Sequence, residues 1–180
     1  MHSTAVAKDS TLPDAACEAL CRAQYSRVLQ LCRFLLVDRA EAEETAQDVF
    51  LKLVRQWQGD VQILSWEAWL TRVTVNACRD RQRSAWWKWW RRGGRAAQEL
   101  ELPSLQPNPE EHALSREQQQ HVWLRFRALS SRQREVFVLR RLEGLSSEEV
   151  AAVLGLSSGS VKRHLFLALR HLQKALGDLS

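Results

Sequence analysis

The sequence predicts an all-α protein of two small helical domains joined by a flexible linker, and three observations carry that expectation. Apolar residues recur every three to four positions along most of the 180 residues. The period-two alternation of half-buried strands is nowhere sustained. Three of the four prolines, Pro103, Pro107 and Pro109, fall with the pair Gly93-Gly94 in one short stretch. Proline denies a helix an N–H donor and glycine frees the backbone, so this stretch breaks the helical pattern. The expected division is a tail over 1–15, a first domain over 16–92, a linker over 93–112 and a second domain over 113–180.

Taken in order, Leu20, Val28, Leu31, Cys32, Leu35 and Leu36 make the apolar stripe of a first long helix. A second is predicted from about Ala40 to Trp57, with Ala46, Val49, Phe50, Leu53, Val54 and Trp57 on one face. A third starts near Ser65 and runs through Arg83, with the tryptophan cluster as a possible continuation. Beyond the linker, helices are expected near 112–128, 131–143, 146–154 and 158–176. No internal repeat is apparent.

The last two of these helices have a specific form. Ser146 is followed three residues later by Glu149, the pattern of a capping box in which each side chain satisfies the other's backbone N–H. Ala151 is small where a second helix crosses closely, and Gly155 stands where a turn needs a positive φ. Ser157 or Ser158 can cap the next helix, and Val161 points back to the core. This spacing is that of a tight helix-turn-helix. In its second helix Val161, Leu165, Ala168, Leu169, Leu172 and Leu176 share one face. The opposite face carries Gly159, Arg163, Phe166, Leu167 and Arg170, with Lys162 and His164 flanking. Arginines near the start of such a helix suit the major groove, and Phe166 and Leu167 suit thymine methyls or sugars.

Charge sharpens the picture. The net charge is +5, distributed as −2 over residues 1–78, +5 over 79–92, −3 over 93–121 and +5 over 122–180. Two basic blocks on either side of an acidic spacer suggest two points of contact with one polyanion. No apolar run approaches the ~18 residues that span a bilayer. Met1 to Pro13 has no long apolar stretch of the secretory type, so a soluble, cytoplasmic chain is expected. Cys17, Cys21, Cys32 and Cys78 are then expected to stay reduced, as small residues on packed helix faces. There is no Cys-x-x-Cys pair, no metal-ligand spacing and no phosphate-cradling glycine loop, so neither cofactor nor catalysis is expected.

On the second helix Glu44, Gln47 and Asp48 lie within about one turn, with Lys52 and Arg55 further along. This polar ridge opposite an apolar stripe is suited to dock a partner helix. The run Ala42-Glu43-Glu44-Thr45-Ala46-Gln47-Asp48-Val49-Phe50 resembles the polymerase-binding segment of sigma-70 family factors. Trp69-Leu70-Thr71-Arg72-Val73-Thr74-Val75-Asn76 resembles the family's next helix, and Ser146 to Leu172 resembles its −35-reading domain. With a short linker and no long N-terminal extension, the match is to the extracytoplasmic-function (ECF) subgroup, over about residues 16–176.

The resemblance implies a non-enzymatic initiation factor without cofactors, built from sigma domain 2 and sigma domain 4. Its implied partners are core RNA polymerase (the β′ clamp and the β flap), double-stranded and melted promoter DNA, and an anti-sigma protein. Such a protein can hold relatives inactive, sometimes at the inner membrane; no stable membrane insertion of this chain is expected. Glu44, Gln47, Asp48, Lys52 and Arg55 would meet the polymerase. Asp60, Val61, Arg72, Asn76, Arg79 and Arg83 would meet the −10 element, Asn76 offering both a donor and an acceptor. In the family, the loop before the third helix captures flipped bases, which need a pocket and a stacking surface. Ser158, Lys162, Arg163, Phe166, Leu167 and Arg170 would meet the −35 element, with Leu167 standing where many relatives carry arginine.

Three readings stay open. Trp69 is expected in the core, whereas Trp66 suits either core or a stacking platform. The cluster Trp86-Trp87-Lys88-Trp89-Trp90-Arg91-Arg92 suits partner or interdomain packing, extra core, DNA or a membrane interface. The competing functions are a plain helix-turn-helix regulator and a nucleic-acid enzyme. The first leaves residues 44–50 and 69–76 unexplained, and the second has no catalytic constellation.

Overall fold

A computed structural model describes residues 14–36, 38–59, 63–91 and 116–177, without the side chains of 85–91, 116–119 and 175–177. Asp60, Val61, the expected linker 93–112 and the side chains of the tryptophan cluster lie outside the described residues. What is described is all-helical, in seven helices: α1 (Ala15–Leu35), α2 (Arg39–Trp57), α3 (Trp66–Arg91), α4 (Arg116–Arg127), α5 (Ser131–Arg141), α6 (Ser147–Leu154) and α7 (Ser158–Gly177). The third helix does continue through the tryptophan cluster, to Arg91.

Local chemistry sets most of the helix starts. Asp14 and Asp38 accept the N–H groups of Cys17 and Glu41 and so cap α1 and α2. Ser65 Oγ accepts the Ala68 N–H at the head of α3. Ser130 with Gln133, and Ser146 with Glu149, form reciprocal capping boxes on α5 and α6. The bonds at Ser146 hold the Glu149 carboxyl below its usual range.

Helices α1, α2 and α3 pack on one another through Val28, Leu31, Leu35, Ala46, Val49, Leu53, Leu70 and Val75, all buried. Burying such a side chain contributes roughly 1.5–3 kcal/mol each. In the second half α5, α6 and α7 pack together, with α4 on α7, around Val136, Leu139, Val150, Val161 and Ala168. Thr71 and Thr74 turn their hydroxyls back onto the carbonyls of Glu67 and Leu70, which lets α3 bury polar side chains without orphaned donors.

The two halves also pack on each other, which the sequence-based division into linked domains did not convey. Phe34 of α1 sits edge-on against Trp123 and Phe126 of α4, with ring centroids 5.9 and 5.7 Å apart. Helix α1 lies against α5, and α3 touches α6. The last carbonyls of α1, which no helical N–H can reach, find donors elsewhere. Gln82 Nε2 donates to Leu35 O at 2.7 Å, Arg134 donates to the same oxygen at 3.4 Å, and Arg127 donates to Leu36 O.

All four cysteines are free; Cys17, Cys32 and Cys78 are buried and Cys21 is half-buried. Burial, then the neighbouring Cys21, pushes the Cys17 thiol up to about 11. The Cys78 thiol is raised by its hydrogen bond with Cys32 and by burial. Iodoacetamide at pH 8 is therefore expected to modify Cys21 in the native chain. All four should react after denaturation, as counted by intact mass. Native modification of Cys32 or Cys78 would contradict this packing.

Candidate nucleic-acid and docking surfaces

The helix-turn-helix forms as its spacing dictates. Glu149 N–H donates to Ser146 Oγ at 3.1 Å, and Ser146 N–H donates to a Glu149 carboxylate oxygen at 2.7 Å. At the turn Gly155 has φ 64°, a conformation in which any Cβ would be strained, and Leu156 N–H closes onto Ala151 O. Ser157, rather than Ser158, caps α7, its Oγ accepting the Ser160 N–H at 3.2 Å. Val161 is fully buried and Ala168 lies flat on the core, which fixes the roll of α7.

That roll leaves Lys162, Arg163, Phe166, Leu167 and Arg170 outward. Phe166 is 58% exposed and Leu167 37%, unusual for large apolar groups. The Arg170 guanidinium lies 5.7 Å from the centre of the Phe166 ring, so cation and ring hold each other on that face. Ser158 is half-buried beside them.

Helix α2 presents the second surface. Ala42, Thr45, Ala46, Val49 and Leu53 face the core, which turns Glu44, Gln47, Asp48, Lys52 and Arg55 to the outside. Arg81 of α3 reaches across to Glu44 at 2.8 Å and Asp48 at 3.9 Å, and its Nε donates to Thr45 Oγ1 at 3.4 Å. The ridge is therefore braced from behind. Glu43, one position off it, is held below the usual carboxylate range by hydrogen bonds from Arg39 and Arg33. Beside the ridge Tyr25, Phe50, Leu51 and Val54 line an open groove of about 760 Å³ that also includes Gln47. Tyr25 stacks on Phe50 at 5.6 Å, while Leu51 is 55% exposed. Of the α2 apolar face, Ala46, Val49 and Leu53 are buried, whereas Phe50, Val54 and Trp57 are half-buried at its edge.

The third surface runs along α3, where Arg72, Asn76, Arg79 and Arg83 share one face at intervals of four, three and four. Arg72, Asn76 and Arg83 are exposed, the last paired with Asp80. Arg79 is different. It forms a two-pronged ion pair with Glu135 of α5, at 2.7 and 2.9 Å, which holds its guanidinium above the ordinary range. At the head of α3, Trp66 lies between Trp57 (4.8 Å, tilted) and Trp69 (5.7 Å, edge-on). Both Trp66 and Trp69 are half-buried and packed against the core.

Sequence reasoning missed the residues that join the halves. Glu135 and Arg134 are buried charged neighbours just before the apolar run of α5, and Arg27 binds Thr71, the Glu67 carbonyl and Glu143. They close the polar stretch Ser131–Glu135, and nothing local in the sequence marks them as buried.

Among the described residues no helix is long and apolar enough to cross a membrane, and no cluster of three or more metal-ligating side chains occurs.

Residues 20–88 match the family model of sigma-70 region 2, and residues 114–172 that of sigma-70 region 4. The RNA polymerase sigma-E factor of Streptomyces avermitilis is 30% identical over 159 residues, covering 88% of this chain and 84% of that one. The ECF RNA polymerase sigma factor SigE of Mycolicibacterium smegmatis is 29% identical over 169 residues, covering 91% and 62%. Among solved structures, the sigma factor RpoE of Bartonella quintana, in complex with the anti-sigma factor NepR, superposes with a TM-score of 0.73. It is 19% identical, with 89% of this chain and 96% of that one covered. CnrH, in complex with the cytosolic domain of CnrY, gives 0.60 at 23% identity, with 92% and 90% covered. Two family regions in the expected order, with a 30% identical relative matched over most of its length, make this protein a member of the sigma-70 family of the ECF type, a non-enzymatic class of transcription initiation factor.

Proposed function

We propose that this chain docks on core RNA polymerase, reads the −35 and −10 promoter elements and helps melt the duplex. The observation that carries the reading is a chemical opposition between two exposed helix faces. An acidic and amide ridge stands on α2, and a cationic face with two bare apolar groups stands on the second helix of a capped helix-turn-helix. One suits a protein partner and the other suits DNA.

In this proposal residues 16–92 form sigma domain 2, 93–112 the linker and 113–180 sigma domain 4. Glu44, Gln47, Asp48, Lys52 and Arg55 engage the β′ clamp, with the Tyr25–Leu51 groove taking apolar side chains alongside, and domain 4 meets the β flap. Ser158, Lys162, Arg163, Phe166, Leu167 and Arg170 enter the −35 major groove. Arg72, Asn76, Arg79 and Arg83, with Asp60 and Val61 of the preceding loop, hold the −10 strand. An anti-sigma partner is part of the proposal because both similar solved structures are complexes of that kind or with a cytosolic partner domain.

Transcription in vitro with purified core enzyme and a promoter library tests the whole. Enrichment of a two-part motif is expected, and failure to stimulate initiation would sink it. Within that assay Arg163→Ala should weaken duplex binding by about 1–3 kcal/mol if Arg163 reads a base edge. It should leave binding to core enzyme alone, as measured by fluorescence titration.

A further inference from the structure

The line Arg72, Asn76, Arg79 and Arg83 advances along α3 by four, three and four residues. Helix α3 runs unbroken to Arg91, so the same alternation continued by three and four reaches positions 86 and 90, both tryptophan. A second line, on the core side, passes through Thr71, Val75, Cys78 and Gln82, the first three buried, and continues seven residues on to position 89. Register thus separates the tryptophans. Positions 86 and 90 extend the outward line, with 87 beside it, and 89 extends the inward one. At 1.5 Å per residue, position 86 stands ~15 Å beyond Asn76 along the axis. Residues 79–92 carry a net charge of +5, and the residues between and directly after the four indoles are cations, Lys88, Arg91 and Arg92.

We propose that Trp86 and Trp90 make the end of α3 a base-stacking platform for single-stranded DNA, continuous with the line of Arg72, Asn76, Arg79 and Arg83. The inference rests on the assignment of that line to the −10 strand, and it adds a second site on the same strand. An indole offers any base a broad π-face, and cations beside it hold the phosphates. Tryptophans meant only for packing against protein gain nothing from cations as immediate neighbours, because burying an ammonium or guanidinium costs its hydration. A strand already held at Asn76 and Arg83 reaches the platform within a few nucleotides. Stacking of this kind is open only to unpaired bases, so the platform favours the melted state over the duplex.

The test uses the full-length chain and two fluorescein-labelled probes read by anisotropy, a random-sequence single strand and a duplex of equal length. Trp86→Leu combined with Trp90→Leu keeps apolar bulk and helix-forming character but removes both ring faces. The pair is expected to weaken single-strand binding on the order of ten- to hundredfold, with duplex binding changed far less. Trp86→Phe with Trp90→Phe should keep most of the affinity, and Trp89→Leu, on the inward line, should stay close to the parent. If the leucine pair binds single strands as the parent does while Arg83→Ala weakens them, the platform is refuted and the −10 face stands. If neither variant weakens binding, the assignment of the face fails and the proposal with it. Equal losses with leucine and phenylalanine, or a loss as large at Trp89→Leu, would mean packing rather than stacking and would overturn the idea. So would a leucine pair that keeps its single-strand affinity but loses binding to phosphatidylglycerol vesicles, the mark of a membrane-facing role. Circular dichroism checks folding, and should the pair not fold, each single leucine variant carries the same comparison.

Discussion

Gln47→Ala combined with Asp48→Ala is expected to cost about 2 kcal/mol or more in binding to core RNA polymerase, a loss on the order of thirtyfold. Both side chains stand outside the core on α2, and neither belongs to the buried set that holds α1, α2 and α3 together. Their removal should therefore leave the thermal midpoint close to that of the parent chain. Asp48 lies 3.9 Å from the half-buried Arg81, a long contact from an exposed carboxylate that contributes little to stability. Competition against a labelled sigma factor measures the affinity, and duplex binding by α7 serves as the internal reference. A double variant that binds core enzyme as well as its parent would place the docking surface elsewhere on the molecule.

Arg134→Ala is the largest expected stability effect, about 2–6 kcal/mol, from ~1–3 kcal/mol for each of two carbonyls left without a donor. The guanidinium is 8% exposed as a residue and donates to Arg127 O at 2.8 Å, Leu129 O at 3.1 Å and Leu35 O at 3.4 Å. Burial lowers its pKa and pushes Arg127, with Arg134 as a like-charged neighbour, down to about 10; both stay charged at neutral pH. Truncation to alanine removes the side-chain donor from the carbonyls of Arg127 and Leu129, while Leu35 O keeps Gln82 at 2.7 Å. Urea unfolding should show the lowered midpoint. Arg134→Lys should recover only part of it, because an ammonium cannot fan out to carbonyls on three sides as the planar fork does. A midpoint unchanged in Arg134→Ala would mean that water replaces all three bonds.

The helices were legible in the sequence because capping and periodicity are local. Ser146, Glu149, Gly155 and Val161 predict one another within a few turns, and the structure puts each where that logic requires. The exposure of Lys162, Arg163, Phe166 and Leu167 followed from the same periodicity. The cap on α7 was legible to within one residue, since Ser157 and Ser158 compete on equal chemistry and Ser157 Oγ takes the N–H of Ser160. What was not legible depends on residues far apart in the chain. Periodicity says that Arg79 shares a face with Asn76, but nothing local says that Glu135 will meet it. Trp66 likewise stayed open between core and platform, because its partner Trp57 belongs to another helix.

The end of α1 carries a consequence for how the chain is made. Leu35 O takes Gln82 of the same half at 2.7 Å, but its second donor is Arg134, and the donor to Leu36 O is Arg127, 99 and 91 residues later in the sequence. A ribosome adding about 5–20 residues per second produces those arginines roughly 5–20 seconds after the helix they finish. In that interval the last turn of α1 and the bare ring of Phe34 face solvent or whatever else is at hand. The nascent first half thus passes through a period in which its apolar end is open to chaperones, to aggregation or to a partner that arrives early.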